Sequence, residues 1–311
     1  MNPKCPRSDC LNFKFSKTLG PASGQTVRHG GYRRSSDSRW IERFWCRSCK
    51  RSFSRATRNP CFGQRKRRFN SEIERFYASG LTQRRLAKLL HINRKTVVRK
   101  IRFLAERARR DHKEFLAGFS QAPEKLRSVQ FDDLETSEHT KCKPLSVALA
   151  VEPKTRKILS FQVSRMPAKG LLAEKARKKY GRRKDERPQG WSRLARDLGP
   201  ILAPGATLIS DENPHYPKHV ISRLPYSNHV THKGRRGCIA GQGELKKIGF
   251  DPLFSLNHTC AMLRANMSRL FRRTWSTTKT EQGLLDHLSI YVSFHNRVLT
   301  SGPTRKGASF N

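Results

Sequence analysis

The spacing of apolar residues changes three times along the chain, and each change predicts a different kind of element. In "RWIERFWCRSC", residues 39–49, apolar and polar positions alternate, as in a strand buried on one face. From 70 to 110 the spacing lengthens to three and four, which predicts three helices. Ser71 is placed to cap the first and Gly80 to end it. Thr82 can cap the second, with Leu86, Leu89 and Leu90 along one stripe, and Asn93 follows the connector "HIN" as cap of a third. In that third helix Val97, Ile101 and Leu104 face inward, which turns Arg94, Lys95, Thr96, Arg99 and Lys100 outward. Residues 111–125 read as a connector ending just past Pro123.

Alternation returns at Val129 and Phe131. "KPLSVALAV" and "RKILSFQVSRM" then form a hairpin around the turn "EPKT", so three strands run in order from Leu126 to Met166. A basic helical stretch comes next, followed by a short buried strand over 207–210 that ends at Asp211. Further on, "LFSLNHTCAMLRANMSRLFRRTW", residues 253–275, has helical spacing. Leu256, Cys260, Leu263, Met267 and Leu270 share one stripe, while Asn257 and Arg264, seven apart, share another face.

Charge narrows the partners. The 311-residue chain carries a net charge of +41, and the excess is spread along it. Residues 1–120 hold 31 Lys and Arg against 8 Asp and Glu. A folded chain so charged needs a polyanion, and nucleic acid is the obvious one. No apolar run reaches the length of a membrane span, so no membrane partner and a cytosolic location are expected. Thiols stay reduced there, and the cysteines need a use other than disulfides.

That use is visible in "CPRSDC" and "CRSCK". Cys5 with Cys10, and Cys46 with Cys49, form two knuckles about 35 residues apart, the layout of a small β zinc ribbon holding structural Zn2+. Cys61 is an alternative ligand. Trp40, Phe44, Trp45 and Phe53 are available to lie against DNA. The short turn before the third helix, with cations at that helix's start, is what major-groove docking requires. Asp132 and Asp211 fall on two strands; if those strands are neighbours, both carboxylates converge on one sheet edge and can hold a hard divalent cation. Asn257 is placed to add a third oxygen. Asp133 competes with Asp132 for this role, and Glu244 competes with Asn257.

In this order, these segments resemble bacterial insertion-sequence transposases, the group similar to insertion sequence one. The resemblance is carried by "CPRSDC" with "FWCRSCKRSFS", "LTQRRLAKLLHINRKTVVRKI", "FDDLETSEHTKCKPLSVALAV", "LISDENPHY", and "NHTCAMLRANMSRLFRRTW" followed by "HLSIYVSFHN". It implies a multidomain chain: a zinc ribbon (1–69), an α helix-turn-helix (70–110), a linker (111–125) and an α/β ribonuclease-H-like catalytic domain with a mixed sheet (126–311). It also implies a DNA transposase whose Mg2+ (or Mn2+) ions activate water, and later a 3′-hydroxyl, for attack on phosphodiesters. By motif, Asp132 and Asp211 fall on the family's two aspartates, and Asn257 falls where glutamate is usual. Asparagine is known at this place in related transposases. Arg264 would hold a DNA phosphate. The implied partners are double-stranded DNA, as element ends and target, and a second copy in a homodimer or larger synaptic complex, in the bacterial cytoplasm at the nucleoid. The rival reading is a catalytically inactive, transposase-derived DNA-binding regulator.

Overall fold

The computed structural model describes residues 2–11, 25–35, 38–233, 251–271 and 275–300. Glu244 lies outside them. Two compact units are present, residues 1–68 and 69–311.

The first unit is a three-stranded antiparallel sheet in the order β1 (Thr26–Arg33), β2 (Trp40–Cys46) and β3 (Arg51–Ser54). Its core is small: Phe44 packs on Phe53 with ring centroids 5.9 Å apart, beside buried Cys5, Cys10 and Cys46. Phe44 and Phe53 are therefore core residues, contrary to the expectation that they face DNA. Trp40 remains exposed.

In the second unit, α1 (Asn70–Ala78), α2 (Gln83–Leu89) and α3 (Arg94–Gln121) are the three helices of the segment read as a helix-turn-helix. Thr82 caps α2 by accepting from the Arg85 amide, and Asn93 caps α3 by accepting from the Lys95 amide at 2.8 Å. Ser71 caps nothing, because α1 starts one residue earlier at Asn70. Gly80, at φ +91°, turns the chain out of α1 in a conformation that only glycine adopts freely.

Two expectations fail in α3. Lys100 points inward: it is 3% exposed, and its ammonium donates to Asn70 Oδ1 at 2.8 Å. It lies three residues after Val97 and four before Leu104, on the stripe that packs against α1. Lys100→Ala is expected to cost about 1.5–3 kcal/mol, as for a charged hydrogen bond lost from the interior. It should leave the salt dependence of duplex binding unchanged. Urea unfolding and a salt titration check both halves, and a shallower salt slope would restore Lys100 to the surface.

The connector is also different. Residues 111–121 continue α3, which runs for 28 residues. Phe115, Leu116 and Phe119 pack on the sheet core, and His112 Nε2 meets the Leu159 carbonyl oxygen at 3.1 Å. The helix-turn-helix is thus not a separate domain behind a linker. It shares a helix with the sheet that follows, and its own core is closed by Ile290 from a helix late in the chain.

That sheet has five strands, ordered β6 (Ile158–Arg165), β5 (Pro144–Val151), β4 (Leu126–Ser137), β7 (Leu202–Asp211) and β8 (Ser227–His232). β4, β5 and β6 are antiparallel neighbours, whereas β4–β7 and β7–β8 are parallel. Between β6 and β7 come α4 (Leu172–Tyr180) and α5 (Arg187–Leu198); after β7 comes the single turn α6 (Tyr216–His219). α5 covers one face with Trp191, Leu194, Ala195 and Leu198. Gly190 permits this approach, since a Cβ there would stand 2.1 Å from Ser164 Oγ. The other face is covered by α7 (Phe254–Asn266) and α8 (Glu281–Phe294), through Leu256, Leu263, Leu284, Leu288 and Tyr291. The helix expected over 253–275 ends at Asn266, where Met267 turns extended; Met267 and Leu270 nevertheless stay buried. Among the described residues no helix is long and apolar enough to cross a membrane.

Candidate functional site

Parallel pairing of β4 with β7 sets the geometry. Val129 is opposite Leu208 and Gln130 opposite Ile209, so Asp132 and Asp211, each two residues further on, lie level on adjacent strands. Strand alternation sends both carboxylates off the face that α7 covers, the face on which Leu134 and Ile209 join the apolar core. Gln130 is on that face too. Its amide donates to the Pro252 carbonyl at 2.7 Å and accepts from the Leu256 amide at 2.9 Å, which pins the start of α7 above β4.

Asp132 Oδ1 accepts from the Asp133 amide at 2.6 Å and from Tyr216 Oη at 3.1 Å. Burial, and then the charge of Asp211, push its pKa up to about 7. Neither Asp132 nor Asp211 forms an ion pair with a Lys or Arg among the described residues, in a chain with 65 of them. Asp133 faces the other way: it accepts from Ser146 Oγ at 2.9 Å and from the Trp191 indole at 2.8 Å. Burial raises its pKa to about 6.

Both raised carboxyls bind protons more tightly in the folded chain than in the unfolded one. The stability this lends is complete below the ordinary pKa of 3.8 and drains away as pH rises through about 6 and about 7. In buffer free of divalent cations, Asp132→Asn should therefore be more stable than the parent, by a margin that opens from about pH 4 to about pH 8. Thermal midpoints of the two proteins test it. A margin independent of pH would show that Asp132 is not held against its charge.

α7 supplies the remaining groups. Its Cys260 thiol is pushed up to about 12 by burial and, secondarily, by the charge of Asp132, with Arg264 acting in the opposite sense. Arg264 is on the same helix, which packs on the sheet face that Gln130 shares with Asp132. Asn257, one turn earlier, is exposed, and its amide donates to Asp251 Oδ2 at 3.0 Å. Glu135 is paired with Lys169 at 2.6 Å. Among the described residues no third His, Cys, Asp or Glu completes a metal-binding cluster with Asp132 and Asp211. Sequence reasoning missed Gln130, Tyr216 and Asp251. Gln130 was signalled by sharing a strand face with Asp132; nothing local marked the other two.

The cysteines gather separately in the first unit. One ligand atom from each of Cys5, Cys10, Cys46 and Cys49 lies within 4.8 Å of the others, and the cluster could hold a zinc ion. Cys5 Sγ is 3.8 Å from Cys49 Sγ, and Cys10 Sγ is 3.7 Å from Cys46 Sγ. A tetrahedron with Zn–S bonds of about 2.3 Å has edges of about 3.8 Å, so the donor set fits. Cys61 stands outside the cluster. In α3, Arg94, Lys95 and Arg99 are exposed and Thr96 is half-buried.

No protein-family model matches the chain. No curated protein matches it either. Among solved structures it is similar to "Crystal structure of the Mos1 Strand Transfer Complex", with 12% identity, a TM-score of 0.28, and 73% of each chain covered. It is also similar to "Mos1 transposase paired-end complex with left transposon end", with 13% identity, a TM-score of 0.28, and 73% of this chain and 74% of that one covered.

Proposed function

We propose that this protein is a DNA transposase that binds its element ends and catalyses Mg2+-dependent strand cleavage and strand transfer. The observation that carries the reading is the carboxylate pair on adjacent parallel strands, unpaired with any described cation and beneath a helix that carries Arg264. In so basic a chain, two neighbouring carboxylates without a basic partner suit a divalent cation from solution. Asp132, Asp211 and the amide oxygen of Asn257 would hold it. Asn257 keeps that oxygen available, since it engages Asp251 through its NH2.

A bound Mg2+ or Mn2+ would polarise the scissile phosphodiester and ease deprotonation of the attacking water or 3′-hydroxyl. The chain's own residues do the rest. Tyr216 and the Asp133 amide orient the Asp132 carboxylate by donating to Oδ1. Arg264 meets a phosphate at the rim. Arg94, Lys95, Thr96 and Arg99 grip the duplex, the four-cysteine ribbon adds a second DNA contact, and pairing of two ends calls for a dimer or larger assembly. The mixed sheet with both aspartates on neighbouring strands supports a ribonuclease-H-like domain, and a bacterial insertion-sequence origin at the nucleoid accompanies this reading.

A second reading has one observation in its favour. Asn257 brings no charge and is exposed, as in a degenerate centre belonging to a DNA-binding regulator. Incubating supercoiled plasmid with the full-length protein in Mg2+ or Mn2+ separates the two. Nicking or strand joining that disappears without the cation supports the transposase; duplex binding with no such chemistry leaves the regulator.

A further inference from the structure

Two clefts open in the second unit. One, of about 710 Å³, is lined by Glu135, Lys169, Arg264, Arg269 and Thr277 among others. The other, of about 650 Å³, lies between the helix-turn-helix and the segment after α7, and its walls include Arg84, Arg94, Arg102, Arg269, Thr277 and Lys279. Arg269 and Thr277 belong to both, so the two clefts meet. At one end stands Arg94, in the first turn of α3; at the other stand Arg264 of α7 and residues 135–137 of β4, the strand that carries Asp132.

The charge in these walls is unbalanced. Glu135 is taken by Lys169, and Asp286 by Arg109 and Gln282, both at 2.8 Å. Arg84, Arg94, Arg102, Arg264, Arg269 and Lys279 form no ion pair among the described residues. Arg269 at the junction is held in place: its guanidinium donates to Tyr77 Oη at 3.2 Å, and the Tyr77 ring stacks on His287 at 3.8 Å. Six unpaired cations along one continuous groove fit a polyanionic chain better than a compact anion.

We propose that this double cleft is a track for the DNA backbone, leading from the duplex gripped by the start of α3 to the carboxylates of the sheet. It rests on the DNA-binding part of the function proposed above, and it adds that the protein grips DNA between its two working ends. Phosphates are the groups recognised, so the track reads no sequence.

The test uses full-length protein and a fluorescein-labelled 40-base-pair duplex of random sequence, with affinity measured against salt. Each phosphate contact contributes roughly 0.9 to the slope of log K against log salt. Arg84, Arg102 and Lys279 are exposed and lie outside both the catalytic set and the expected base-reading set. Their combined replacement by alanine should lower the slope by about 2 to 3. Replacing Lys113, Lys125 and Arg127, exposed cations at the far end of α3 and the start of β4, should leave it nearly unchanged. Arg84→Lys with Arg102→Lys should keep the parental slope, which separates lost charge from lost folding. An undiminished slope in the alanine variant, or an equal loss in the distant variant, overturns the track. Absence of plasmid cleavage by the parent would instead count against the catalytic reading, and the slopes would remain readable.

Discussion

Asp132→Ala is expected to reduce Mg2+-dependent strand cleavage by roughly a thousandfold or more while duplex binding stays within about twofold of the parent. The magnitude follows from what a bound divalent cation supplies, several kcal/mol of transition-state stabilisation, at about 1.4 kcal/mol for each factor of ten. Removing Asp132 takes away one of two neighbouring carboxylates and leaves Asp211 alone beneath α7. Asp133 is no substitute, because Trp191 and Ser146 hold its carboxylate on the other side of the sheet. The contrast with Asp133→Asn is therefore informative. Asp133 accepts through both oxygens, so an amide there turns its NH2 toward a donor. That change should lower stability more than it lowers turnover per folded molecule, unlike at Asp132, whose two bonds fall on one oxygen. Plasmid nicking and urea unfolding, run on both variants, decide it. Should the two variants lose activity equally, or should Asp132→Ala nick at the parental rate, the carboxylate pair is not the catalytic centre.

Loss of metal from the four-cysteine cluster is expected to unfold the first unit and spare the second. A structural zinc ion contributes on the order of 10 kcal/mol or more of folding free energy in small metal-bound domains. The first unit has little else: its core is Phe44, Phe53 and the cysteines themselves. Cys46→Ser, or a strong chelator, should open the described strands of the first unit to protease while the five-stranded sheet of the second stays protected. The purified parent should carry one zinc per chain. Protein free of zinc that still protects its first unit would leave the cluster as four buried thiols.

How much of this was readable beforehand depended on whether the signal was local. The cysteine knuckles were legible because metal ligands must recur at short spacing, and the thiols converge as the spacing implied. Thr82 and Asn93 were legible as caps because an unsatisfied helix amide is a local need that a side chain one turn away meets. Asp132 and Asp211 were visible at strand positions, but their adjacency depended on a parallel pairing that nothing in either strand announces. β8 was missed because "SNHVTH" lies at the sheet edge and is largely exposed, so no apolar alternation marks it. Residues 111–121 belong to α3 and not to the expected connector. Gly118 has open space around it and sits in the helix without conflict, while Phe115, Leu116 and Phe119 carried the helical spacing all along. For Lys100 the inward stripe was in the sequence and outweighed the usual habit of lysine. The partner of Asn257 was not readable at all, since Asp251 reaches it only after the chain turns into α7.

The length of α3 has a consequence of its own. Twenty-eight residues of helix span about 42 Å, close to the length of twelve base pairs of duplex. One end carries the cations proposed to meet DNA, and the other is fastened to α8 by Arg109 and to the sheet by His112 and Phe115. A rigid rod of this kind is a gauge. In a protein that grips DNA at one end and acts on it at the other, the number of base pairs between grip and cut is set by the protein's own dimensions. Inserting a single residue between Arg102 and Arg109 would offset the two ends of the rod by about 1.5 Å and about 100°, so that Ile101 and Arg109 could no longer both keep their contacts on α8.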